Sequence, residues 1–138
     1  MTNAKDWGIT ILRVVVGIVF LVHGCQKVFV YGFAGVQGAF GHMGIPMPAM
    51  AGPFIAVLEL MGGIALVVGI LTRWFAILFA LEMLVAILKV HLRGGFFMPS
   101  GIEFALTLLA ASLALAMAGP GVASIDRVIA SKRGAAAS

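Results

Sequence analysis

Apolar residues run almost without interruption through four blocks of the chain, at about residues 7–30, 51–71, 74–90 and 102–118. A helix needs roughly 17–25 apolar residues to cross the hydrocarbon core of a bilayer. Each block is therefore about one crossing long, the last two near the short end. The breaks between them have physical causes. Gly44-Ile45-Pro46-Met47-Pro48 and Pro53 cannot carry a helix from the first block into the second. The stretch from Gly69 to Arg73 leaves room only for a tight antiparallel turn. Gly94-Gly95 with Pro99-Ser100-Gly101 ends the third block, and Gly119-Pro120-Gly121 the fourth. The remainder, 122–138, is small and basic and reads as a tail that frays beyond Ser131.

A weaker pattern lies between the first two blocks. Phe33, Val36, Phe40 and Met43 recur at spacings of 3, 4 and 3, which is one apolar stripe if the segment is helical. It is too short to span, so an interfacial or re-entrant helix is one reading. A flexible loop through Gly32, Gly35, Gly38, Gly41 and Gly44 is the other.

Composition removes the soluble alternatives. Hydrophobic residues make up 62% of the 138 and charged residues only 10%, against about 25% charged in soluble domains. With a mean hydropathy of +1.16, lipid must cover what polar surface cannot. The expected fold is all-α: a polytopic membrane protein forming one transmembrane domain over 1–138, a four-transmembrane-helix bundle with a short interfacial helix between helices one and two. The first block continues past signal-peptide length without an Ala-x-Ala type exit and is expected to remain as a helix. The net charge of +4 comes without basic runs interleaved with aromatics, so no nucleic-acid partner is expected; the bilayer is the partner. Lys5, Arg13, Arg73, Arg127, Lys132 and Arg133 fall on the N-terminal side, and Lys27, Lys89 and Arg93 on the other. By the positive-inside rule both termini face the cytoplasm.

The informative residues are charges that a membrane helix should avoid, each costing about 2.5–3.5 kcal/mol at the bilayer centre. Arg13, Gly17, Phe20, Gly24 and Lys27 are spaced 4, 3, 4 and 3 and share one stripe of helix one, with His23 one turn before Lys27. The glycines on that stripe allow a neighbouring helix to approach closely, so the stripe should face the bundle. Glu59 lies beside Gly62-Gly63 on helix two, and Glu82 and Lys89, seven apart, should share a face of helix three. Counting from the helix ends, His23, Lys27, Glu59, Glu82, Lys89, His91 and Glu103 all fall in the outer half of the bundle. The plainer alternatives are that Lys27, Lys89 and Arg93 snorkel to headgroups, and that Glu103 only charges the first turn of helix four. Glu59 and Glu82 have side chains too short to reach an interface. Cys25, the single cysteine, excludes a disulfide framework and a Cys-x-x-Cys pair and reads as a buried thiol. Met43, Met47, Met50 and Met98 read as packing residues, and no metal site is expected.

Taken in order, Leu12-Arg13, Gly17, Phe20, His23-Gly24 and Lys27 resemble the start of the DoxX family of small bacterial membrane proteins. Gly44-Ile45-Pro46, Glu59 with Gly62-Gly63, Gly69 with Thr72-Arg73, His91 with Gly95-Phe96-Phe97, Glu103 and Gly119-Pro120-Gly121 continue the resemblance to Asp126. It implies a four-helix bundle in the bacterial cytoplasmic (inner) membrane. It also implies an association with redox systems: terminal quinol oxidase, thiosulfate:quinone oxidoreductases, and membrane complexes of thiol and oxidative-stress metabolism. It assigns no catalytic residue. The fold is also similar to that of vitamin K epoxide reductase, but the Cys-x-x-Cys of that chemistry is absent.

These readings give an expected function: a redox-associated subunit, not a stand-alone enzyme, binding a quinone or similar amphipathic ligand in the outer half. The candidate ligand-binding and proton-handling residues are His23, Lys27, Glu59, Glu82, His91 and Glu103. No motif for haem, flavin or metal is present to carry electrons, so a partner oxidoreductase or soluble redox enzyme would supply them. Two readings stay beside it: a non-enzymatic scaffold anchoring a redox complex, and a transporter of a small solute or protons. A homo-oligomer is compatible with all three.

Overall fold

The computed structural model describes residues 3–137, which are helical apart from short turns and one loop; no strand occurs among them. Helix α1 (Ala4–Cys25) starts where Asn3 Oδ1 accepts the Asp6 amide at 3.0 Å, a side-chain cap for an otherwise orphaned donor. At 22 residues it is about 33 Å long, the thickness of a hydrocarbon core. It runs on through a π-helical turn, Gln26–Tyr31. There Gly32, at φ +69°, redirects the chain into α2 (Gly32–His42). The 33–43 segment is thus helical, and Val36 of its apolar stripe is buried while Gly52 of the next helix approaches the Val36 and Gln37 backbone.

Helix α3 (Pro48–Val68) begins three residues before the apolar block does, because Pro48 opens a helix well: its missing N–H would be unpaired in the first turn anyway. Pro53 lies within the first two turns rather than ending a segment. Gly69 and Leu71, both left-handed at φ +75° and +50°, form the tight turn into α4 (Thr72–Ala86). A second π-helical turn, Ile87–His91, and a 3₁₀ turn, Leu92–Gly94, come next. Helix α5 (Glu103–Ala118) is apolar but has only 16 residues. Three helical stretches, Ala4–His42, Pro48–Val68 and Thr72–Gly94, are long and apolar enough to cross a membrane.

The tail departs from expectation. Instead of fraying, it forms α6 (Ile125–Ala136), started by Ser124 Oγ accepting the Arg127 amide at 3.2 Å.

Packing is organised by glycine. A Cβ on Gly17 would sit 2.8 Å from the Val67 amide nitrogen, and one on Gly24 or Gly63 would collide with the backbone of Leu60 or Leu21. These contacts make α1 against α3 the most intimate seam in the molecule. Gly62, one residue over, faces the rings of Phe75 and Phe79 on α4. Phe20 and Phe79 stack at a centroid distance of 3.7 Å at the centre of the core.

The end carrying both termini is sewn shut by side chains bonded to backbone. Arg13 is 1% exposed; it donates to the Pro120 carbonyl and, at 2.7 Å, to that of Ala123. Asp126 accepts the amides of Leu71 and Thr72 at 2.8 and 2.9 Å, capping α4 from the far end of the sequence. Arg73 donates to the Ala116 and Met117 carbonyls at the end of α5.

Candidate functional site

The close α1–α3 seam decides which polar groups meet. Because Gly24 admits the backbone at Glu59 and Leu60, the side chain one turn further along α1 arrives beside Glu59. Lys27 Nζ lies 2.6 Å from Glu59 Oε2, with the Glu59 side chain 5% exposed and that of Lys27 18%. The Glu82 carboxyl of α4 adjoins Glu59 and sits in the field of Lys27. Its Oε2 is buried with no hydrogen-bond partner. His23 donates from Nδ1 to the Val19 carbonyl at 2.8 Å. That bond fixes the tautomer, with Nε2 as a vacant acceptor. Its ring lies 6.1 Å from that of Phe104 on α5.

These groups line one cavity of about 610 Å³, within the range typical of small-molecule sites. Its walls are mainly apolar: Phe20, Leu58, Met83, Phe104 and Leu108 on one side, Phe40, Met43, Ile45 and Phe54 toward α2 and the start of α3. The structure brings His23, Lys27, Glu59, Glu82 and His91 to this cavity. Glu103 is not among its lining residues; its Oε1 accepts the Met98 amide at 2.8 Å and closes the loop that precedes α5. His91 lies at the rim, 3.4 Å from the Ser100 carbonyl through Nδ1. Lys89 is exposed and does not line the cavity that Glu82 faces. The seven-residue spacing would share a face on a regular helix, but Lys89 lies within the π-helical turn at Ile87–His91, whose wider winding rotates it off that face.

The residues that sequence reasoning did not single out are apolar. Phe40 and Met43 bring the α2 segment into the cavity wall, and Phe104 stands beside His23. The stripe through Phe40 and Met43 was a usable signal; nothing local in the sequence pointed to Phe104. Among the described residues, no group of three or more His, Cys, Asp or Glu side chains is arranged to hold a metal ion.

The pattern that defines the DoxX family matches residues 8–92, well over half of the chain. The chain belongs to the DoxX family. The matched stretch takes in Lys27, Glu59, Glu82 and His91, while Phe104 and the clamp partners Pro120, Ala123 and Asp126 lie beyond it. Relatives extend the similarity over nearly the whole length. A Bacillus subtilis protein named "Putative oxidoreductase CatD" is 35% identical over 127 residues, covering 91% of this chain and 90% of its own. The Escherichia coli inner membrane protein YqjF is 32% identical, covering 94% and 97% of the two chains. The E. coli inner membrane protein YphA is 33% identical, covering 85% and 86%. No solved structure matches. This DoxX chain is an integral membrane protein, all-helical, with a polar group of side chains at an apolar cavity.

Proposed function

We propose that this DoxX protein binds a quinone or a similar amphipathic molecule in the α1–α3–α4–α5 cavity and works with a partner oxidoreductase. The observation that carries the reading is the buried, unpartnered Oε2 of Glu82 beside the Lys27–Glu59 pair, at an apolar cavity of about 610 Å³. Four buried side-chain atoms lack a partner among the described residues, and Glu82 Oε2 is the one at this cavity. A ligand oxygen placed there would satisfy it, and the apolar walls suit an isoprenoid or alkyl body.

The proton inventory fits such a ligand. Reducing a quinone to a quinol takes two electrons and two protons. Two carboxyls and one ammonium lie together at the cavity, so Glu59 and Glu82 are placed to exchange a proton with a bound oxygen. His23 Nε2 is a second acceptor within the same wall. Electrons come from the partner, since the chain has no cysteine pair. The oxidoreductase in the name of the B. subtilis relative supports the same reading.

In the membrane, α1, α3, α4 with its π-helical extension, and α5 form four crossings. Helix α2 lies at the outer interface, and both termini face the cytoplasm of a bacterial inner membrane. The loop before α5, pinned by Glu103, completes the thickness that 16 residues alone, about 24 Å, do not reach.

A photoreactive quinone with a long tail tests the assignment. Illumination of protein in native membranes should label peptides containing His23 or Phe104, competed by unmodified ubiquinone or menaquinone. Labelling confined to lipid-facing residues such as Val22 and Phe29, without competition, would refute it.

A further inference from the structure

Helix α6 is attached to the bundle by its first turn. The Asp126 amide donates to the Gly69 carbonyl at 2.9 Å and its carboxylate holds Leu71 and Thr72. Beyond that turn α6 packs extensively on no other described helix. A free 12-residue helix is marginal in water, so α6 needs a surface. Its composition specifies one. Ile125, Val128 and Ile129, spaced 3 and 1, form an apolar stripe that is 40%, 53% and 38% exposed. Lys132 comes one turn on and Arg133 flanks the stripe, while the helix's one carboxylate is already engaged.

Position supplies the rest. Asp126 pins α6 to the level where α3 ends and α4 begins. The chain's two tryptophans, Trp7 in the first turns of α1 and Trp74 in the first turn of α4, are at this same end, 50% and 69% exposed. Exposed tryptophans at helix ends mark the headgroup region. We infer that α6 is an in-plane anchor, its Ile125–Val128–Ile129 stripe inserted in the anionic leaflet on the side of the termini and Lys132 and Arg133 on lipid phosphates. The lipid surface is favoured over a protein partner because α6 starts at the level of the exposed tryptophans and its exposed stripe runs into Lys132 and Arg133, with no free carboxylate on the helix.

The test uses the full chain with Cys25→Ser and a nitroxide at Ile129→Cys, in nanodiscs of phosphatidylcholine or of equal parts phosphatidylcholine and phosphatidylglycerol. A second label at Gly134→Cys, where an added Cβ meets nothing within 4 Å, reports the opposite face. In the anionic discs the label at position 129 should be accessible to oxygen and shielded from a water-soluble nickel complex, and the label at 134 the reverse. Lys132→Gln and Arg133→Gln should each lower the ratio of immersed to solvated label by about fivefold, and high salt should do the same. A nickel-accessible position 129 in both lipids overturns the inference. So does shielding that appears only with two chains per disc, which would mean a second copy, or only after a soluble extract is added, which would mean a protein partner.

Discussion

At the end of the bundle where the chain begins and finishes, charged side chains bond to backbone. Arg13 holds the Pro120 and Ala123 carbonyls, Arg73 those of Ala116 and Met117, and Asp126 the amides that open α4. At the opposite end they meet each other: Lys27 on Glu59, Glu82 beside both, His23 and His91 at the edges of the same cavity. The first arrangement satisfies groups that helix ends would leave orphaned in a medium without water, and among the described residues it leaves Arg13 Nε and Thr72 Oγ1 as the unpartnered remainder. The second leaves a carboxylate oxygen without a partner in an apolar space large enough for a ligand. Intramembrane charge alone does not separate architecture from function; what separates them here is whether the partners are backbone atoms or a cavity.

The largest effect should come from the backbone-bonded end. Arg13→Leu keeps apolar bulk but strands the Pro120 and Ala123 carbonyls, and hydrogen bonds to a charged group contribute about 1.5–3 kcal/mol each. A loss of about 4 kcal/mol in SDS-induced unfolding is expected, with ligand binding per folded molecule unchanged. A small loss would mean that the clamp is replaced by lipid or water.

Next is Lys27→Met, which leaves Glu59 buried without its cation and should cost about 3 kcal/mol. Adding Glu59→Gln in the same chain should recover most of that, since both charges are then gone. Additive losses in the double variant would show that the two residues act independently, and would dissolve the contrast between the two ends. The seam beneath the pair is probed by Gly24→Leu, with Gly8→Leu as the comparison. A side chain at Gly24 must displace the α3 backbone, whereas one at Gly8 meets nothing within 4 Å. The expected difference in the same unfolding assay is about 2 kcal/mol.

Much of this architecture is legible in the sequence, for reasons of periodicity. The stripe from Arg13 to Gly24 keeps α-helical spacing, so its inward orientation comes from counting; counting leaves both His23 and Lys27 as partners for Glu59, and the structure pairs it with Lys27, early in the first π-helical turn. Lys89 escapes the count, because the π-helical turn at Ile87–His91 breaks the spacing that joins it to Glu82. Glu103 opens α5, but a position along the chain says nothing about rotation, and its carboxylate turns to the Met98 amide. The order in the tail is hidden for a different reason: the cap on α4 comes from Asp126, more than fifty positions away, and no local pattern announces a contact of that range. Phe104 is equally hidden, one apolar residue among many on α5, distinguished only by standing beside His23.

The smallest expected change in stability belongs to the substitution that bears most directly on function. Glu82→Gln keeps the shape and the contact with Glu59 and replaces a carboxylate oxygen that has no partner among the described residues, so stability should shift by less than about 1 kcal/mol. Native mass spectrometry of the protein released from its own membranes then measures what the cavity holds. A quinone or related amphipathic molecule should be retained at one per wild-type chain and lost from the equally stable Glu82→Gln variant. Wild-type and variant chains carrying the same ordinary phospholipids, and nothing else, would contradict the account.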